Sequence, residues 1–169
     1  MSTMLCPKTE DLHRHSLQMM PNTVGGYLFA FAVLLAASFW FIRKITFDSI
    51  SLWISAKRKT IITTEVVFAL AFLFLLLLRG MEPAVLATEK PMELAFINAI
   101  LRSPTMPPLD PWLSDYSISY YYFGYVMVAM LAKMSGVSGG VAFNLGISLV
   151  FALGAVGAYG LVYNLLAAT

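Results

Sequence analysis

Residues 60–78 read TIITTEVVFALAFLFLLLL, nineteen positions with one charge, Glu65. A hydrocarbon core of about 30 Å takes about 20 mostly apolar helical residues to cross. The stretch has that length and that composition, and its Leu-rich end is indifferent to what surrounds it as long as water is excluded. It reads as a membrane helix.

The same reading extends outward along the chain. Of 169 residues, 59% are hydrophobic and 12% charged, with a mean hydropathy of +0.77. Soluble globular chains average roughly 45–50% apolar and about 25% charged, so a water-soluble domain is excluded. Disorder is excluded as well, because it requires low hydrophobicity and high net charge. Uncharged runs at residues 16–42, 116–132 and 134–169 join the opening stretch. The expected fold is therefore an all-α integral membrane protein of four transmembrane helices. These occupy residues 23–42, 60–78, 116–132 and 141–164.

Charge placement orients them. Residues 43–59 carry five basic side chains against Asp48, interleaved with Ile45, Phe47, Leu52 and Trp53. Such a segment lies flat at a bilayer surface, and short Lys/Arg-rich loops stay cytoplasmic. Residues 79–115 hold Arg79, Lys90 and Arg102 against Glu82, Glu89, Glu93, Asp110 and Asp115, which suits an external loop. Pro91 opens a short helix there, and Pro104, Pro107, Pro108 and Pro111 stiffen the strap that follows. Residues 133–140, with Lys133 and five glycine or serine positions, are expected as a cytoplasmic turn. The arm 1–22 and the tail 165–169 are then external, giving a multi-pass protein of the plasma membrane with both termini outside.

Several residues stand out chemically. An acid within a span costs about 2.5–3.5 kcal/mol at the helix centre. Glu65 therefore marks a proton relay or partner contact, or is held by the helix dipole and Lys57-Arg58-Lys59. Trp112, Tyr116, Tyr120, Tyr121, Tyr122 and Tyr125 make an aromatic belt at the outer end of the third span. On a helix the triplet fans through about 200°, and Tyr116, Tyr120, Gly124 and Met127 share a face. Ala142, Gly146, Gly154, Gly157, Ala158 and Gly160 supply the small-residue spacing by which membrane helices approach closely. Glu89 and Glu93, four apart, share a helix face, and Asp110 and Asp115 can approach them. Such carboxylates serve as a general base or bind a divalent cation.

Other chemistries find no support. Catalytic triads, phosphate loops and metal-spaced His/Cys sets are missing from the sequence, and Cys6 alone allows no internal disulfide. A basic stripe for nucleic acid is missing too. His13 and His15 sit in the arm, leaving no intramembrane haem ligand, and no cofactor is expected.

The ordered set Thr88-Glu89-Lys90-Pro91-Met92-Glu93-Leu94-Ala95-Phe96-Ile97-Asn98, Arg102-Ser103-Pro104, Pro107-Pro108-Leu109-Asp110-Pro111-Trp112 and Tyr120-Tyr121-Tyr122-Phe123-Gly124 closely resembles the Chlor_Arch_YYY domain family of uncharacterised polytopic membrane proteins, named for its tyrosine triplet. The resemblance covers about residues 60–160, and members of that family generally have many more spans. The family in turn is similar to C-type glycosyltransferases, which use polyprenyl-phosphate sugars. That resemblance implies Glu89 as a catalytic or metal-binding acid, Asp110 as the second and Glu93 as a further metal ligand. Lys90 departs from it, standing where those enzymes often have another acid.

Two functional expectations follow. The first is a non-catalytic accessory subunit, packed by lipid and by other integral membrane subunits in a hetero-oligomeric complex such as a respiratory or photosynthetic electron-transfer complex. The alternative is the amino-terminal part of a glycosyltransferase of the lipid-linked type, acting on a polyprenyl-phosphate sugar with a divalent metal ion.

Overall fold

The computed structural model describes residues 20–43, 47–86, 89–113 and 116–167. Cys6, His13, His15 and Asp115, with most of the amino-terminal arm, lie outside them. The elements in chain order are β1 (Met20–Pro21), α1 (Val24–Ile42), α2 (Phe47–Met81), α3 (Lys90–Arg102), β2 (Thr105–Met106), α4 (Phe123–Ser135) and α5 (Gly139–Ala167). Among the described residues α1, α2 and α5 are long and apolar enough to cross a membrane.

Thr23 starts α1 by accepting a hydrogen bond from the Gly26 amide at 3.3 Å, which satisfies one of the unpaired donors of the first turn. At its far end the Arg43 guanidinium lies over the Trp40 ring, 3.5 Å from the centroid. None of the α1 side chains is buried.

From Phe47 on, the basic segment expected to lie flat at the bilayer surface is instead the first part of α2, which runs unbroken for 35 residues. The reason is local: no glycine or proline occurs between Phe47 and Arg79, so nothing stops helix propagation. At 1.5 Å per residue α2 is about 52 Å long and outreaches a bilayer core.

α2 and α5 pack antiparallel. Arg79 Nε donates to Asn144 Oδ1 at 2.8 Å, and the Phe74 and Phe151 rings meet at 6.4 Å. Ser148 and Ala152 are fully buried and continue that stripe of α5 at helical spacing. The beginning of α5 therefore lies beside the end of α2.

α3 and α4 form a second unit, side by side and parallel. Their first turns are joined by Tyr125 and Glu93, and their last turns by Asn22. Ile97, Ile100, Ala129 and Phe143 make its core, with Leu94, Leu101, Val128 and Ile147 around them. Each buried Ile or Phe contributes about 1.5–3 kcal/mol relative to exposure. Gly136, at φ 70°, ends α4 in the left-handed conformation that glycine adopts freely.

Here the structure corrects three further expectations. The helix expected over 116–132 begins at Phe123, because the tyrosines before it are drawn into packing against α3. Its 13 residues reach about 20 Å, too short to span, so three candidate spans stand where four were expected. The face shared by Tyr116, Tyr120, Gly124 and Met127, and the helical fan of the triplet, do not exist because Tyr116 and Tyr120–Tyr122 precede the helix. The turn 133–140, assigned to the side opposite Asn22, is next to it: Lys133 Nζ donates to Asn22 O at 2.8 Å.

Asn22 ties the pieces together. It is buried, and its side-chain amide donates to Ile100 O at 2.6 Å and Ser103 O at 2.8 Å. Its own amide donates to Pro104 O at 2.9 Å, and its side-chain oxygen accepts from the Tyr27 hydroxyl. Just before it, Met20 and Pro21 pair with Met106 and Thr105 in a two-residue antiparallel ladder.

Candidate functional site

The chemistry-bearing side chains gather at the amino-terminal ends of α3 and α4. Phe96, buried on α3, is the centre: its ring lies 5.7 Å from Trp112, 5.8 Å from Tyr120 and 5.7 Å from Tyr125. Tyr121 stacks on Tyr120 at 3.9 Å, and the Tyr120 hydroxyl donates to the Tyr121 hydroxyl at 2.5 Å. Tyr122 packs against the core, while Tyr116 is exposed.

Glu93 occupies the first turn of α3, where the helix dipole favours a negative charge. It is half-buried and accepts a long hydrogen bond from the Tyr125 hydroxyl at 3.4 Å. Burial first, then the Glu93 charge, pushes the Tyr125 hydroxyl up to about 12. The Tyr120 hydroxyl is raised to about 12 chiefly by its bond to Tyr121, with burial and the Glu89 charge adding to it. Glu89, exposed at the start of α3, thus acts on both tyrosines through its field without touching them.

Asp110 has a different task. Its Oδ1 accepts from the Trp112 amide at 2.8 Å and the Leu113 amide at 3.0 Å, an Asx turn that shapes the strap. Among the described residues no three His, Cys, Asp or Glu side chains lie together as a metal site would need. Glu89, Glu93 and Asp110 thus do not stand together as three ligands in this structure. A pocket of about 260 Å³ lies on the other side of the strap, lined by Arg102, Ser103, Pro104, Leu109 and Asp110 among others.

Glu65 stands apart. It is exposed on α2 and has no hydrogen bond or ion pair among the described residues.

The small residues of α5 divide. Ala142 is buried, and a Cβ at Gly146 would lie 3.2 Å from Val128, so that glycine admits α4. At Gly154, Gly157 and Gly160 a Cβ would meet nothing within 4 Å, and Ala158 is exposed.

Three residues that shape this architecture were not marked by the sequence as more than ordinary: Asn22, Ser148 and Ala152. An Asn just before an apolar run has the form of a helix cap, and no local signal tells a cap from a residue bonded 78 positions away. Ser148 and Ala152 do follow small-residue spacing, four apart, and that signal was available.

The architecture defines an all-α membrane protein with three candidate spans and a smaller packed unit between the second and third. The chain belongs to the uncharacterized membrane protein family DUF2298, whose model matches residues 13–169. No curated protein and no solved structure matches it.

Proposed function

We propose that α1, α2 and α5 cross the membrane and that the chain is a non-catalytic structural part of a larger helical membrane assembly. The observation that carries this reading is α1: a 19-residue apolar helix with no buried side chain, joined to the rest through Asn22 and α4. Membrane helices gain stability by close packing with other helices, and α1 leaves its length free for that. Three crossings put Asn22 and Ala167 on opposite sides. The basic residues between α1 and the apolar part of α2 favour the cytoplasm, so Asn22 faces outward and Ala167 inward.

Extraction in mild detergent followed by native mass spectrometry tests the assembly. The expected species is heavier than one chain, carrying further integral membrane subunits; a lone chain overturns the reading. Co-migration with redox subunits would identify a respiratory or photosynthetic electron-transfer complex as the host. An Ala167→Cys variant in a Cys6→Ser background tests the topology in intact cells: protection from a membrane-impermeant maleimide is expected, and labelling overturns the inward placement.

A second reading is favoured by one contact, the Glu93–Tyr125 hydrogen bond beside the Phe96 ring cluster. A half-buried carboxylate next to exposed aromatic faces suits a sugar on a lipid-linked donor, in keeping with the glycosyltransferase-like resemblance. Glu93→Gln should then lower sugar transfer from polyprenyl-phosphate donors while the fold is retained. Unchanged transfer removes this reading.

A further inference from the structure

The α3–α4 unit presents an apolar surface that its own core does not use. Residues 108–110 and 116–118 pair as two antiparallel arms: the Ile118 amide donates to Pro108 O at 3.1 Å, the Asp110 amide to Tyr116 O at 2.8 Å, and Leu109 bridges Ser117. Both roots, Pro108 and Ile118, are buried. The Asp110 carboxylate closes the turn onto the Trp112 and Leu113 amides, and Pro107, Pro108 and Pro111 remove backbone freedom. The paired arms therefore hold Trp112, 62% exposed, and Leu113, 59% exposed, in a fixed position away from their roots.

That pair is one end of a longer surface. The ring contacts from Trp112 through Phe96 and Tyr120 lead to Tyr121, 77% exposed, and then to Phe123, 74% exposed, at the start of α4. Met127 and Leu131 follow at four-residue spacing, exposed on the same face. The single charge on α4, Lys133, is turned away onto Asn22 O. α4 is thus too short to cross the membrane, yet it carries an uncharged stripe of large apolar side chains.

Contiguous exposed apolar surface of this kind marks an interaction site. Two features identify the occupant as lipid. The stripe runs toward the Asn22 junction where α1 begins, so it is continuous with a helix that is apolar and exposed all round. Its composition of Trp, Tyr, Phe and Leu is that of side chains that settle at the boundary between headgroups and acyl chains. We infer that Trp112, Leu113 and the exposed stripe of α4 enter one leaflet of the bilayer, making the α3–α4 unit a half-inserted, lipid-contacting element. This holds whether or not further helices cover α1.

The test uses the whole chain reconstituted in phosphatidylcholine vesicles, with Trp40→Phe and Trp53→Phe leaving Trp112 as the sole tryptophan. Lipids brominated near the carbonyl end of the acyl chain should quench most of the Trp112 emission. Lipids brominated near the methyl end should quench less, and acrylamide little. Emission open to acrylamide and untouched by either lipid would mean a solvated loop. Emission shielded from all three quenchers would mean a protein cover, and either result overturns the inference. A Leu113→Cys variant in a Cys6→Ser background, carrying an environment-sensitive fluorophore, gives an independent reading. Emission in the vesicles as blue as that of the same label on Leu34→Cys in α1 is expected, and emission as red as that of the free label in buffer counts against insertion.

Discussion

The first two long helices and the two short ones divide the work of folding in opposite ways. α2 has 35 residues, and none from Ser49 onward is buried; α1 has 19 with none buried; α3 and α4 have 13 each and supply Ile97, Ile100 and Ala129 to the core. Length and hydrophobicity are thus poor guides to burial in this chain. A span needs only to be compatible with lipid, whose tails are as apolar as leucine, so it gains little by hiding its side chains in protein. The short helices cannot cross and must be stabilised by packing against α5, the strap and one another.

The sharpest way to break this comparison is to remove equal bulk from each region. Ile100→Ala empties a fully buried site and should destabilise the α3–α4 unit by about 3 kcal/mol, in the usual range for buried Ile. Leu73→Ala, on the exposed face of α2, should cost less than about 0.5 kcal/mol. Chemical denaturation in lipid–detergent micelles measures both, and similar costs would refute the division. Next in size is the link between the regions. Asn22→Ala leaves the Ile100 and Ser103 carbonyls without their donor and should cost about 2 kcal/mol. Hydrogen exchange should rise at residues 100–106 and at the first turn of α1 while α2 stays protected.

A smaller effect separates two glycines on one helix. Gly146→Val pushes into Val128 and should cost about 1–2 kcal/mol of overpacking. Gly154→Val meets open space and should change the unfolding midpoint little, unless a further helix occupies that face. The smallest effect is a pH dependence confined to the short-helix unit. The folded Tyr125 pKa of about 12 lies above the ordinary value of 10.0. The stability it contributes is therefore complete below pH 10 and is lost as pH rises from 10 through 12. Tyr125→Phe should remove that alkaline loss, read as near-ultraviolet circular dichroism against pH.

The legible part of this molecule was the part set by sums over neighbouring residues. The apolar runs that became α1, α2 and α5 were visible, and Pro91 and Pro104 bracketed α3. The candidate site was half legible. Glu93 and the tyrosines were singled out, but their meeting around Phe96 was not, nor was the use of Asp110 as a turn residue instead of a partner for Glu89. The start of α4 was misplaced because the apolar run from Tyr116 onward has helical composition throughout. Pairing of residues 116–118 with 108–110 and packing of Tyr120 on Phe96 hold its first residues out of the helix.

By itself the sequence determined that this is a helical membrane protein with a basic segment between its first two apolar runs. Partition into a bilayer depends on length and composition, both of which are local. Tertiary structure alone decided that α4 stops short of a span, that Lys133 sits beside Asn22, and that Ser148 and Ala152 rather than Gly154 and Gly157 face protein. Each of these depends on which side chain meets which across tens of residues, and hydropathy does not record the partner.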